Sequence, residues 1–96
     1  MIRRLPKDEY GHKFYGVPHG NPALHDELEW YATDDNKILG VVILDLIDND
    51  FSWVIMTQNE QGPGFTAVDV EASLPSQYIA RTKLHLAMEN KEWEKN

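Results

Sequence analysis

There is no cysteine among the 96 residues. That excludes a disulfide framework, a thiolate zinc site and a cysteine nucleophile. Long hydrophobic runs are missing too. The stretch Ile38 to Leu44 is seven residues, against the roughly 20 that a membrane-spanning helix needs. Met1 to Lys7 is basic but holds no apolar core of a secretory signal. A cytoplasmic protein away from membranes is the expectation. Base is scarce where acid is plentiful. From Asp26 to Glu71 there are eleven acids against Lys37 alone, within a chain of net charge -7. Such a field repels nucleic-acid phosphates and attracts basic surfaces. Direct nucleic-acid binding is therefore not expected, and a basic protein partner is.

What is present is ordinary for a globular chain: 42% apolar and 26% charged residues. A chain of this length makes one domain and can bury a single core without metals. The expected division is an irregular arm over 1–20, a core over 21–90 and a charged tail over 91–96.

Pro6, Gly11, Gly16, Pro18 and Gly20 break any long element in the arm. Tyr10, Phe14, Tyr15 and Val17 still offer apolar area to bury, with one short strand expected near Lys13–Val17. Asn21-Pro22 reads as a helix cap with proline in the first turn. Leu24 and Leu28 then predict a short helix over Pro22–Leu28. Strand signals follow at Glu29–Thr33, Ile38–Leu44, Phe51–Gln58 and Phe65–Val70. Turn residues separate them: Asp34-Asp35-Asn36, Asp48-Asn49-Asp50 and the loop Asn59–Gly64. Connections this short join antiparallel neighbours. After Ser73 the period becomes helical. Ile79, Ala80, Leu84, Ala87 and Met88 share one side, and Arg81, His85, Glu89 and Glu92 fall opposite. The fold class expected is α+β. An antiparallel three- to four-stranded meander packs against one C-terminal amphipathic helix, about Pro75 to Asn90, with the short N-terminal helix and the extended arm.

Both faces of the central strands are apolar. Leu39, Val41 and Ile43 alternate with Val42 and Leu44, and Val54 and Met56 oppose Phe51, Trp53 and Ile55. One helix covers one face. The other is expected to lie under the arm and short helix, with a second copy of the chain or a partner as the alternative cover. On the last strand Phe65, Ala67, Asp69 and Glu71 are expected on one side, Thr66, Val68 and Val70 on the other.

Four groups of residues invite a chemical reading. Asp45, Asp48 and Asp50 offer clustered oxygens to a hard cation. An EF-hand register from Asp48, however, puts Trp53 at the glycine position and Asn59 at the bidentate glutamate, so a hairpin turn is preferred. His25 and Glu29 are spaced to share a helix face, as zinc ligands do, though a surface histidine is the commoner case. Ser52, Ser73 and Ser76 lie in no nucleophile-elbow motif, and Gln61-Gly62-Pro63-Gly64 lacks the lysine of a phosphate loop. Trp30, Tyr31, Phe51, Trp53 and Phe65 form either a stacking platform for bases or core. The surrounding acid favours core.

A short helix, three strands and a helix resemble the double-stranded-RNA-binding domain in topology alone. Leu74-Pro75-Ser76-Gln77 holds no base where that family carries a lysine-rich helix cap. The meander and helix resemble part of the acetyltransferase fold, but Ser73 to Tyr78 has no glycine-rich, basic turn. The sequence points instead to a small acidic, non-enzymatic module that binds a basic protein surface through Asp34, Asp35, Asp45, Asp48, Asp50 and Glu60. No cofactor or metal is expected. An inhibitor or nucleic-acid mimic is a special case of this reading. The alternatives are a structural homodimer and, third, a small-ligand binder or enzyme using Asp45 or His25.

Overall fold

A computed structural model describes residues 2–7 and 16–90. Local turn chemistry sets its frame. Asn36 and Asn49 take left-handed backbone, with φ of 59° and 56°, a region Asn tolerates better than most residues. The Asn36 N–H donates to the Thr33 carbonyl and the Asn49 N–H to the Asp45 carbonyl, each at 2.9 Å. These two turns join β2 (His25–Thr33), β3 (Ile38–Asp45) and β4 (Asp50–Gln58). The loop 59–64 leads to β5 (Phe65–Leu74), and β1 (Ile2–Arg4) pairs with the far side of β2. The result is a five-stranded antiparallel sheet in chain order, β1-β2-β3-β4-β5.

One helix follows, α1 (Gln77–Glu89), opened by Ser76, whose hydroxyl accepts from the Ile79 N–H at 3.1 Å. Ala80, Leu84 and Met88 recur every fourth residue and are buried. They pack on Tyr31, Ile38, Val42, Trp53, Ile55 and Leu74, with Ile2, Phe51 and Ala87 at the margin. The helix sits close because Gly40 faces it. A Cβ there would lie 2.6 Å from Met88 Sδ and 2.8 Å from Leu84 Cδ1.

The opposite face is also buried, within one chain. Trp30, Leu39, Val41 and Met56 are at most 4% exposed. Leu5 joins this second cluster and Val17 packs against it. The segment from Gly16 to Leu24 crosses the face as a strap. The Phe65 N–H donates to the Gly16 carbonyl at 3.1 Å, and the Leu46 N–H to the Leu24 carbonyl at 2.9 Å. The first fastening needs glycine on both sides. A Cβ on Gly16 would come within 2.5 Å of the Gly64 Cα, and both residues have positive φ. No second copy is needed to bury this face.

Four expectations change. The sheet has five strands, because Ile2–Arg4, read as irregular arm, forms β1. The short helix over Pro22–Leu28 is a single turn. Asn21 caps it, its side chain accepting from the Ala23 N–H at 3.0 Å and its carbonyl from the Leu24 and His25 N–H groups. From His25 the backbone pairs with β3 instead, since a two-turn helix does not offset its nucleation cost. Third, β5 runs on to Leu74. Fourth, its sides switch. An extra residue, Val68, separates the pairs Met56↔Ala67 and Ile55↔Asp69. This bulge leaves Phe65 and Ala67 on the strap face and turns Asp69 and Glu71 toward the helix face. The expected strand at Lys13–Val17 falls largely outside the described residues, as does the tail Lys91–Asn96.

Filling the gap under the helix should be costly. Gly40→Val is expected to destabilise the fold by about 1–3 kcal/mol, with Gly40→Ala intermediate because the thioether end of Met88 can swing aside. Urea unfolding midpoints check this order. Equal midpoints for all three proteins would contradict close packing at Gly40.

Candidate functional site

The densest polar chemistry lies between β2 and α1. Glu29 and Tyr31 alternate on one side of β2, which puts both on the helix face. Gln77, Arg81 and His85 recur every fourth residue along α1, beside the buried stripe. The Glu29 carboxylate is 0% exposed. The Arg81 guanidinium grips it with Nε on Oε1 and Nη2 on Oε2, both at 2.7 Å. The Tyr31 hydroxyl also donates to Oε1, and the Gln77 amide to Oε2. Four donors therefore fill the carboxylate's acceptor positions. Burial alone would raise the Glu29 pKa, but the bonds from Arg81, Tyr31 and Gln77 together outweigh it and hold the group at about 2. Burial and the bond to Glu29 push Tyr31 up to about 12. Bonding to Glu29 raises Arg81 further above its ordinary value. A saturated carboxylate with so low a pKa has neither a free lone pair nor the basicity for general-base work. Its chemistry is that of a clamp.

His85 stands against this clamp, its ring edge-on to Tyr31 at 4.4 Å between centroids. Its Nε2 is buried and has no hydrogen-bond partner. Burial lowers its pKa, and the Arg81 charge acts in the same sense against the pull of Glu29 and Glu89. Arg81 and His85, expected on the solvent side of α1, are thus both partly buried.

The pair His25 and Glu29 does not assemble. Both lie in β2, and the extra residue Leu28 between Glu27↔Ile43 and Glu29↔Val42 puts them on opposite faces. His25 pairs with Asp45 on the strap face, and its Nδ1 is buried without a hydrogen-bond partner. A Cβ placed on Gly20 would lie 3.0 Å from that nitrogen.

The six acidic residues expected to meet a partner separate into two groups. Asp34 and Asp35 in the β2–β3 turn and Glu60 in the β4–β5 loop share one end of the sheet. Asp45, Asp48 and Asp50 occupy the β3–β4 hairpin at the other end. The eight residues of β3 lie between them, roughly 23 Å at 3.3 Å per residue. At the hairpin, Asp45 and Asp50 pair directly across the ladder, an unfavourable placement for like charges. One oxygen from each of Asp45, Asp48 and Asp50 lies within 4.8 Å of the others, near enough to share a cation. Asp45 Oδ1 is engaged by the chain itself, accepting from the Ile47 N–H at 2.9 Å and the Asp48 N–H at 3.1 Å. The Asp48 and Ile47 amides hold the Asp45 carboxyl below its usual range. Asp35 is held down likewise, by the Thr33 hydroxyl first and then the Lys37 amide. The aromatics Trp30, Tyr31, Trp53 and Phe65 are buried in the two clusters and Phe51 packs at the margin of one, which is core packing rather than an open stacking platform. No family model, curated protein or solved structure matches this chain.

The clamp is lopsided, because the Arg81 side chain is 36% exposed and Glu29 is fully buried. Arg81→Met strands a buried carboxylate and is expected to destabilise by about 3 kcal/mol. Glu29→Gln should cost less, since Arg81 can turn into water. Urea unfolding of the two variants checks the order, and a reversed order would refute the clamp. Acid should act through His85. Its folded pKa lies below the ordinary 6.5, so the stabilisation it carries is complete above that value and falls away as the pH drops below it. Unfolding midpoints at pH 7.5 and 5.5 should differ more in the native protein than in His85→Phe.

Proposed function

We propose that the chain is a non-enzymatic module that binds a basic protein surface, and that its acidic hairpin end carries the contact. One observation supports this reading above the rest. Three glutamates that lie against the sheet have a basic side chain beside them: His19 lies 3.0 Å from Glu27, Arg81 2.7 Å from Glu29 and Lys83 3.4 Å from Glu71. Among the described residues no basic side chain forms an ion pair with Asp45, Asp48 or Asp50. Three carboxylates this close repel one another, although His25 acts on Asp45 in the opposite sense, and a cationic partner relieves that repulsion on binding. Charge of this kind governs association rate and partner choice more than affinity.

The other acidic end, with Asp34, Asp35 and Glu60, is a secondary contact for a partner long enough to reach it. Two acidic ends set apart along the strand direction are also what a mimic of a phosphate backbone would present, and an inhibitor of a nucleic-acid-handling protein is a special case of the same reading. The homodimer reading loses the argument that favoured it, since the strap already buries the second face. The enzyme reading rests on Asp45, whose Oδ1 holds the hairpin, and on His25, whose Nδ1 is buried.

Affinity capture from cell extract at about 0.1 M and about 0.5 M salt, where charge attraction is largely screened, tests the proposal. A Lys- and Arg-rich protein should be retained at the lower salt and released at the higher. Asp48→Asn with Asp50→Asn should lose most of it, and Asp34→Asn with Asp35→Asn should lose less. Undiminished retention by the Asp48/Asp50 variant would overturn the hairpin as the contact.

A further inference from the structure

Hairpin tips are usually polar, yet this one carries two large aliphatic residues. Leu46 is 48% and Ile47 71% exposed. They are not alone. The strap ends in Leu24, itself 37% exposed, and the hydrogen bond from the Leu46 N–H to the Leu24 carbonyl holds the two segments together at 2.9 Å. The Ile47 N–H is fixed in turn on Asp45 Oδ1 at 2.9 Å. Three apolar side chains from two segments, 22 residues apart in the chain, thus project at one end of the sheet. Asp45, Asp48 and Asp50 adjoin them in the same hairpin. Both halves of the arrangement are tied down by backbone hydrogen bonds before any partner arrives, which lowers the ordering entropy lost on binding.

We propose that this tip docks a short basic protein segment bearing one apolar anchor. The anchor packs on Leu24, Leu46 and Ile47, and flanking Lys or Arg residues meet Asp45, Asp48 and Asp50. The inference rests on the basic-partner reading above and adds an apolar determinant to it. Charge selects the occupant. A second copy meeting tip to tip would bring six carboxylates together, and an acidic segment is repelled for the same reason. A purely cationic segment satisfies the carboxylates but leaves the aliphatic trio in water, so it gains nothing from burial.

The test uses two synthetic peptides of equal positive charge. One has Leu at its centre between Lys residues, and the other has Ser in that place. Binding to the full chain is followed by fluorescence anisotropy at about 0.1 M salt, and circular dichroism verifies that each variant folds. The Leu peptide should bind about tenfold more tightly, the effect of burying one aliphatic side chain. Ile47→Ser should shrink that difference severalfold while leaving the Ser peptide's affinity unchanged. Asp48→Asn with Asp50→Asn should weaken both peptides alike. Equal binding of the two peptides, or an unaltered preference in Ile47→Ser, would overturn the apolar anchor and leave the charge reading standing. Failure of both peptides to bind the native chain would overturn the two together.

Discussion

A carboxylate sealed from water constrains everything around it. Removing an ion from water costs several kcal/mol even after relaxation, so β2 can carry Glu29 on its buried side only where donors converge. Three of the four donor groups come from α1, 48 and 52 residues further along the chain. The fourth is Tyr31, two residues on in the same strand. An apolar helix stripe tolerates small slides along a sheet. A two-pronged guanidinium grip does not. Arg81 therefore settles where along the sheet the helix rests, and the gap at Gly40 settles how near it comes.

Much of this architecture is legible in the residues. The β-branched run Ile38–Leu44 and the aromatic run from Phe51 mark central strands, and Asp/Asn pairs mark the turns between them. The repeat Ala80, Leu84, Met88 marks the buried side of α1. The clamp was not legible before β2 was placed. Only when Glu29 and Tyr31 share a face does a carboxylate stand on an apolar side, and only then does the row Gln77, Arg81, His85 become its answer. The bulges at Leu28 and Val68 were hidden for a related reason. One inserted residue is invisible to an alternation rule, yet it sent His25 and Glu29 to opposite faces and turned Asp69 and Glu71 over. β1 has three residues, too few to show any period, and Pro22–Leu24 obeys the helix-start rules for one turn before pairing with β3 takes over.

The acidic balance of the chain gains meaning from where its counter-charges fall. Arg81, Lys83 and His19 sit beside glutamates that lie against the sheet. Among the described residues the aspartates of the β3–β4 hairpin form no ion pair, Asp45 being held by the backbone of its own turn, and they share that tip with Leu46 and Ile47. Net charge alone suggests a partner of opposite sign. What distinguishes the hairpin end is the exposed aliphatic side chains of Leu24, Leu46 and Ile47 beside its aspartates.

The strap also ties together residues far apart in the chain. Its fastenings join Gly16 to Phe65 and Leu24 to Leu46, so the groove it crosses does not exist until β2 through β5 have paired. Those four strands are linked by short connections and can associate early, whereas the loops closed by the strap and by β1 are long and entropically slow. Until they close, Trp30, Leu39, Val41 and Met56 face solvent on a half-dressed sheet. Releasing the strap from the folded sheet would uncover the same side chains while leaving the β2 to β5 ladders intact.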